Sequence, residues 1–272
     1  MMKALTRGWL PGYAILYIAF LYLPVMLLPI FSVNSSPIPV FPLKGFSMKW
    51  YESLWGNDIM LNAARNTLVV GTASALVATI LGICAARAIT RYRFTGKRPM
   101  SGVIMAPLVL PEIIIAISLL LVLLQFGLGL SLMTVIVGHV LICLPYSITV
   151  LVSGFEGFDP SFEEASADLG ETTFGTIRRV TLPMMMPAIV SSLLVSFTIS
   201  LDEFMVAFFL SGREPTLPIY IWGQLRFAAK LPAVLALGTI MLVGSLVLLT
   251  VAEMYRRRAA RKTLTEAGGL FA

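Results

Sequence analysis

Six apolar stretches, at 12–33, 67–89, 101–125, 132–153, 184–210 and 232–254, constrain this chain more than any other feature. An α-helix rises about 1.5 Å per residue, so roughly 20 residues cross the hydrocarbon of a bilayer, and a helix satisfies its backbone hydrogen bonds within one segment. Any one run would suit a buried helix of a large soluble protein. Six of them joined by short polar segments would not. Only 12% of the residues are charged and 58% are hydrophobic, against about 25% charged in a soluble domain. The expectation is an all-α polytopic membrane protein, a single transmembrane domain over 1–272 with six transmembrane helices.

The first run is read as a retained helix and not as a cleaved leader. It has about the length of a span, contains Pro24 and Pro29, and ends in Phe-Ser-Val-Asn-Ser-Ser without a small-x-small cleavage pattern. With the N-terminus inside, fourteen of the twenty basic residues fall on the inner side, against Lys44, Lys49, Arg65, Arg213, Arg226 and Lys230 outside. Basic residues accumulate in cytosolic loops, so both termini are expected in the cytosol. The basic tail at 255–272 suits an anionic lipid surface, and the net charge of +6 then needs no nucleic-acid partner. Cys84 and Cys143 lie in different spans and read as packing residues; with a single histidine they form no metal site and no disulfide framework.

The inner loop at 156–181 is unlike the rest. Six carboxylates lie from Glu156 to Glu171, followed by Arg178 and Arg179. Asp159 before Pro160 is a helix start, because the Asp side chain accepts an otherwise unpaired amide and proline is suited to the first helical position. Glu163 and Glu164 favour the positive end of that helix, and Gly170 is its stop, free to enter the left-handed region. Phe162, Ala165 and Leu169 then share one side, while Glu164, Asp168 and Glu171 share another. Two readings fit: a helix that docks a partner, or a solvated connector. The small Ala165 and Ala167 and the defined ends favour the first.

Three acidic residues fall inside apolar runs. Taking each run as a continuous helix, Glu112 lies about 17 Å in from Ser101 and Asp202 about 21 Å in from Ala188, both near mid-membrane. An ionised carboxylate there is costly unless it is paired, hydrated or facing a pathway. Glu112, Asp202 and Glu203 either lower the cost of moving a protonated amine through low dielectric, or brace helices through hydrogen bonds or seal a subunit interface; Glu112, which follows Pro111, also fits the cap of a broken helix. The spans supply no Lys or Arg at that depth. Tyr146 and Trp222 are candidate aromatic walls of the same path, or packing residues at the membrane interface.

The chain has no G-x-x-x-x-G-K-[ST] loop: "FTGKRP" has Gly-Lys without the glycine-rich approach or the Ser/Thr. It has no H-E-x-x-H site, and the lone His139 reads as a helix hydrogen-bonding residue. Energy must come from another chain. A secondary transporter would ordinarily carry a gradient-coupling site and often an internal repeat, and a membrane enzyme a reactive constellation; neither is evident.

Glu164-Ala165, then Gly170, then Leu182-Pro183 and Pro187 resemble the signature loop of the inner-membrane permease subunits of binding-protein-dependent ABC importers. "FSVNSS" at 31–36, "RYRFTGK" at 91–97, "HVLICLPY" at 139–146, "EEASADLG" at 163–170 and "SFTISLDEF" at 196–204 extend the likeness over essentially the whole chain. Within that family they resemble most the second permease subunit of bacterial spermidine/putrescine importers. The resemblance implies a type I importer permease fold in which residues 160–170 form a coupling helix seated in a groove of the ATP-binding subunit. It gives Glu164, Ala165 and Gly170 to that contact, with Glu163 and Asp168 at its rim. It also implies no cofactor in this chain, ATP and Mg held by two copies of an ATP-binding subunit, a second homologous permease, an external substrate-binding protein and a bacterial inner-membrane location. The polyamine permeases have two aspartates where this chain has Asp202-Glu203, and importers of amino acids or opines look similar.

Overall fold

The computed structural model describes residues 2–269, with side chains at 9–251, 253 and 254. The fold is all-α, with the long apolar helices of a polytopic membrane protein. Among the described residues, five helical segments are long and apolar enough to cross a bilayer: Trp9–Ser32, Asp58–Arg91, Leu132–Glu156, Thr173–Asp202 and Ala228–Val251. A sixth crossing forms if the bent pair Lys97–Leu108 and Glu112–Gln125 is counted as one span. The helices are α1 (Met2–Ser32), α2 (Lys49–Trp55), α3 (Asp58–Arg91), α4 (Lys97–Met105), α5 (Glu112–Gln125), α6 (Leu132–Glu156), α7 (Ser161–Asp168), α8 (Thr173–Thr176), α9 (Leu182–Asp202), α10 (Met205–Leu210), α11 (Leu217–Gln224) and α12 (Leu231–Gly269). The side chains of the 255–272 tail lie outside the described residues, as do those of Lys3 and Arg7.

Two of the expected spans are not continuous helices. Residues 101–125 turn by 104° between Leu108 and Glu112. Pro111 accounts for this, since it has no amide to continue a helix and sits at ψ 130° before α5; Pro107 lies in a short 3-10 turn with Ala106 before it still helical. Glu112 is therefore the exposed first residue of α5, and the depth assigned to it by a continuous rise from Ser101 does not hold. The run 184–210 is interrupted at Glu203, whose backbone is extended at φ −70°, ψ 116°.

The chain divides into two compact units. The smaller comprises 1–61 and 221–244. In it, Asn34 is buried, and its Oδ1 accepts from the amides of Ser36 at 3.3 Å and Lys44 at 3.2 Å while its carbonyl accepts from Trp50 Nε1 at 2.7 Å. Ser32 Oγ and Tyr51 OH meet at 2.7 Å. The proline-punctuated segment after α1 is thus an ordered knot gathered around one asparagine.

The larger unit comprises 62–220 and 245–272. Its core joins Val70 of α3, Ile115, Ala116 and Leu123 of α5, Val135 and Ile142 of α6 and Val206, Ala207 and Leu210 of α10. A second cluster, of Ala86, Leu151, Phe155, Phe158 and Met185, holds α3, α6 and the start of α9. Polar groups stitch the same helices: Ser147 Oγ donates to the Ala78 carbonyl at 3.0 Å and meets Ser192 Oγ at 2.8 Å, which meets Thr79 Oγ1 at 3.1 Å. Hydroxyls of this kind supply cohesion where lipid removes the hydrophobic drive for helix association. The short turn after α5 makes α5 and α6 neighbours. Leu128 N bonds the Leu123 carbonyl at 2.9 Å and Gly127 N the Leu124 carbonyl at 3.0 Å, with Gly127 at φ +68°.

Candidate functional site

The segment from α7 to α9 carries its own local instructions. The Asp159 carboxylate accepts from the Ser161 amide at 2.9 Å, capping α7. That amide holds the Asp159 carboxyl below the ordinary aspartate value, with the Ser161 hydroxyl and the Arg91 guanidinium acting in the same direction. At the other end, Gly170 sits at φ +84°. Glu171 N bonds the Ser166 carbonyl at 3.1 Å and Gly170 N the Ala167 carbonyl at 2.9 Å, which is the paired closure that a left-handed C-terminal glycine permits. Thr172 Oγ1 then accepts from Gly175 N at 3.1 Å to start α8, and a π-helical turn over Ile177–Thr181 leads into α9.

Glu164, Ala165 and Asp168 on α7 and Gly170 just beyond it are all exposed, and Leu169 between them is 89% exposed. Together they form a small, acidic-rimmed face with an apolar tip. Glu163, expected at the same rim, is turned the other way. Its carboxylate lies 3.2 Å from Arg87 Nη1 and 3.2 Å from Arg91 Nε, and Thr181 Oγ1 donates to it at 2.6 Å. Arg87 and Arg91 are four residues apart on α3, hence on one face. That spacing, at the end of an apolar run, was the available sequence signal for this node.

The second candidate site is the break between α9 and α10. Glu203 is buried, and its Oε1 and Oε2 accept from the amides of Val206 at 3.0 Å and Ala207 at 3.1 Å. The residue that interrupts the helix also satisfies the amides that the interruption frees, which is the condition for irregular backbone within a membrane. His139 on α6 completes the site. Its Nε2 is 3.2 Å from Glu203 Oε2, close enough to pair but off the line of a good hydrogen bond, and its Nδ1 is 2.6 Å from Ser200 Oγ. A Ser–His–carboxylate set invites comparison with a hydrolytic relay. All three residues are buried, however, so no substrate carbonyl reaches the Ser200 hydroxyl. This is a lock between α6 and the α9–α10 break. The partner absent from the expectation was thus the single histidine, a buried polar residue in the middle of an apolar span.

Asp202 is exposed at the end of α9, with the Ser245 hydroxyl of α12 as its hydrogen-bonding neighbour. The two adjacent acids therefore separate, Glu203 inward and Asp202 outward. Glu112 stands at the exposed start of α5, and Tyr146 is 42% exposed beside Pro145 in α6. Among the described residues, no hydrogen bond or ion pair ties either of them to the Asp202–Glu203 pair. Trp222 belongs to the smaller unit.

Residues 78–261 match the family model described as binding-protein-dependent transport system inner membrane component. The chain is 37% identical over 205 residues, 75% of its length and 79% of the relative's, to the spermidine/putrescine transport system permease protein PotC of Haemophilus influenzae. It is 36% identical over 194 residues, 68% of its length and 69% of the relative's, to the putrescine transport system permease protein PotI of Escherichia coli. A solved bacterial ABC transporter involved in import of the acidic polysaccharide alginate superposes with a TM-score of 0.71 over 93% of this chain and 96% of its own, at 16% identity. At that identity the likeness is one of fold.

Proposed function

The chain belongs to the family of binding-protein-dependent transport system inner membrane components, and on that premise we propose that it forms half of the translocation pathway of an ATP-driven importer for spermidine, putrescine or a related small cationic amine. The observation that carries the cargo is the outward-facing Asp202 next to a break in the membrane helix, in a chain 37% identical to a spermidine/putrescine permease. An exposed carboxylate at a helix break offers a protonated amine a counter-charge where hydration is reduced. Glu203 supports that arrangement from behind, by holding the break open.

The exposed face of Glu164, Ala165, Asp168 and Gly170 is the coupling surface for a separate ATP-binding subunit, two copies of which bind ATP and Mg. A second homologous permease completes a heteromeric pathway of the type I kind, and an external binding protein delivers the cargo. With six spans, the bent α4–α5 pair as the third, both termini share one side of the membrane, and the distribution of basic residues favours the cytosol for them and for α7. Glu112 and Tyr146 contribute to the path wall. An amino acid or opine is the competing cargo, since the alginate importer shares this fold while handling a polyanion.

The test is uptake of radiolabelled putrescine and spermidine by vesicles holding the complete importer, with ion gradients collapsed and ATP supplied inside. ATP-dependent accumulation that unlabelled amine competes away, and that amino acids and opines do not, supports the reading. Competition by a zwitterionic or anionic solute instead would overturn the cargo. Uptake that follows an ion gradient without ATP would make the chain a secondary transporter.

A further inference from the structure

We propose that Glu163 is a positioning residue: with Arg87, Arg91 and Thr181 it clamps α7 to the ends of α3 and α9, so that motion imposed on α7 reaches both helices. This rests on the reading of α7 as the docking helix and adds how that helix is held.

The starting point is that α7 has eight residues and none of them is buried. So short a helix is marginal by itself, and apolar packing normally supplies the missing stability. A helix that must transmit force while burying nothing needs another attachment. Ser166 Oγ meets Thr176 Oγ1 at 3.0 Å, which joins α7 only to its own return loop. Phe162, half exposed, stacks on Phe158 with ring centres 5.9 Å apart, and the polar link to the membrane helices is Glu163. Its carboxylate is met by both guanidinia of α3 and by the hydroxyl of Thr181, the last residue of the π-helical turn before α9.

The far side of the clamp is rigid. Arg91 Nη2 donates to the Phe158 carbonyl at 3.0 Å, and its guanidinium lies 5.7 Å from the Phe155 ring centre and 5.4 Å from that of Phe158. Both rings belong to the buried cluster that joins α3, α6 and α9. Thr181 is 1% exposed. The side chains of Glu163, Arg87 and Arg91 are only 14%, 16% and 15% exposed, so water screens this cluster far less than a surface pair. At contact distance one carboxylate faces two guanidinia, and the Asp159 carboxylate acts on Arg91 from further off. Removing the Glu163 carboxylate unlinks α7 from α3 and leaves two like charges four residues apart on one face of α3, where they disfavour each other.

The experiment uses the complete importer in proteoliposomes. It reads the ratio of ATP hydrolysis with and without the binding protein, purified with its native cargo, together with amide exchange over residues 159–170. Glu163→Gln should assemble and keep basal hydrolysis. The stimulation ratio should fall about fivefold or more, within the usual span for coupling between sites, and α7 should lose protection while α6 keeps it. Glu163→Asp should restore part of both, and Arg87→Gln and Thr181→Val should repeat the pattern more weakly. Ala165→Trp and Gly170→Val form the separate arm that tests docking itself. If those two uncouple while Glu163→Gln, Arg87→Gln and Thr181→Val keep the wild-type ratio and protection, the clamp is refuted and docking stands. If neither set changes the ratio, docking fails and the clamp's role in coupling fails with it. If Glu163→Gln does not assemble, exchange in the solubilised permease decides: protection lost over 159–170 alone supports the clamp, and unchanged protection overturns it.

Discussion

Two pairs of adjacent acids, Glu163-Glu164 and Asp202-Glu203, meet the same requirement in different solvents. In each pair one carboxylate turns inward and is fully engaged while its neighbour faces out. The inward Glu163 lies beside a loop and takes two guanidinia and a hydroxyl. The inward Glu203 lies in a membrane span and takes two backbone amides and a histidine. The contrast follows the cost of bringing charge to each place. A guanidinium is expensive in hydrocarbon unless it reaches water, whereas amides already inside the helix cost nothing further to bring in. The lesson is that an acidic residue in an apolar run need not face a pathway, because it can be the part that makes a helix break affordable.

The largest effect that would test this contrast is expected at Glu203. Glu203→Ala strips the acceptor from two buried amides and the neighbour from buried His139 at once, a loss of about 2–6 kcal/mol at roughly 1–3 kcal/mol per orphaned donor. It should sharply lower the melting temperature and the folded yield of the solubilised permease by fluorescence-detected gel filtration. Glu203→Gln keeps one accepting oxygen and should lose much less. Equal losses in the two variants would mean that charge, and not capping of Val206 and Ala207, is what this site requires.

Next in size are the changes on the exposed side of the other pair. Gly170→Val forces a β-branched residue to φ +84°, where L side chains are strained, and Ala165→Trp adds bulk to an exposed docking position. Both should insert normally and abolish the stimulation of hydrolysis by the binding protein. Wild-type coupling in both would turn α7 into a plain connector. Asp202→Asn, the outward member of the membrane pair, should leave the melting temperature near wild type and lower uptake at limiting amine roughly tenfold, equivalent to about 1.4 kcal/mol. An Asp202→Asn protein that transports normally but melts early would reverse the roles assigned to Asp202 and Glu203.

The smallest effect belongs to Asp159. Its carboxyl is held below the ordinary aspartate value of 3.8 by the Ser161 amide, so the ionised form is the one that caps α7. Its contribution is complete above that ordinary value and disappears as pH falls through the lower folded value. Amide exchange at the start of α7, corrected for intrinsic rate, should be flat from neutral pH to mild acid and rise only in stronger acid, and Asp159→Ala should remove the dependence. A rise near neutral pH would assign the dependence to another group.

The start and stop of α7 were legible because their causes are local. Asp159-Pro160 and Gly170 act within four residues of themselves, by a side-chain cap and a permitted dihedral, and need no tertiary partner. Membrane character was equally legible, since burial in lipid is demanded by each apolar run separately. The bend at 108–112 was half legible: Pro111 before Glu112 reads as the start of a broken helix, as observed, while counting 101–125 as one continuous rise carried Glu112 to a depth it does not have. The inward turn of Glu163 depends on Arg87 and Arg91, seventy-odd residues earlier in the chain, and the lock on Glu203 on His139, at a separation of 64 positions in the sequence. Composition and period say that an acid is present and whether it sits near an apolar run. Which of two neighbouring acids is engaged is decided by what the packed helices bring to within about 3 Å of it, the range of a hydrogen bond, and that pairing exists only once the chain has folded.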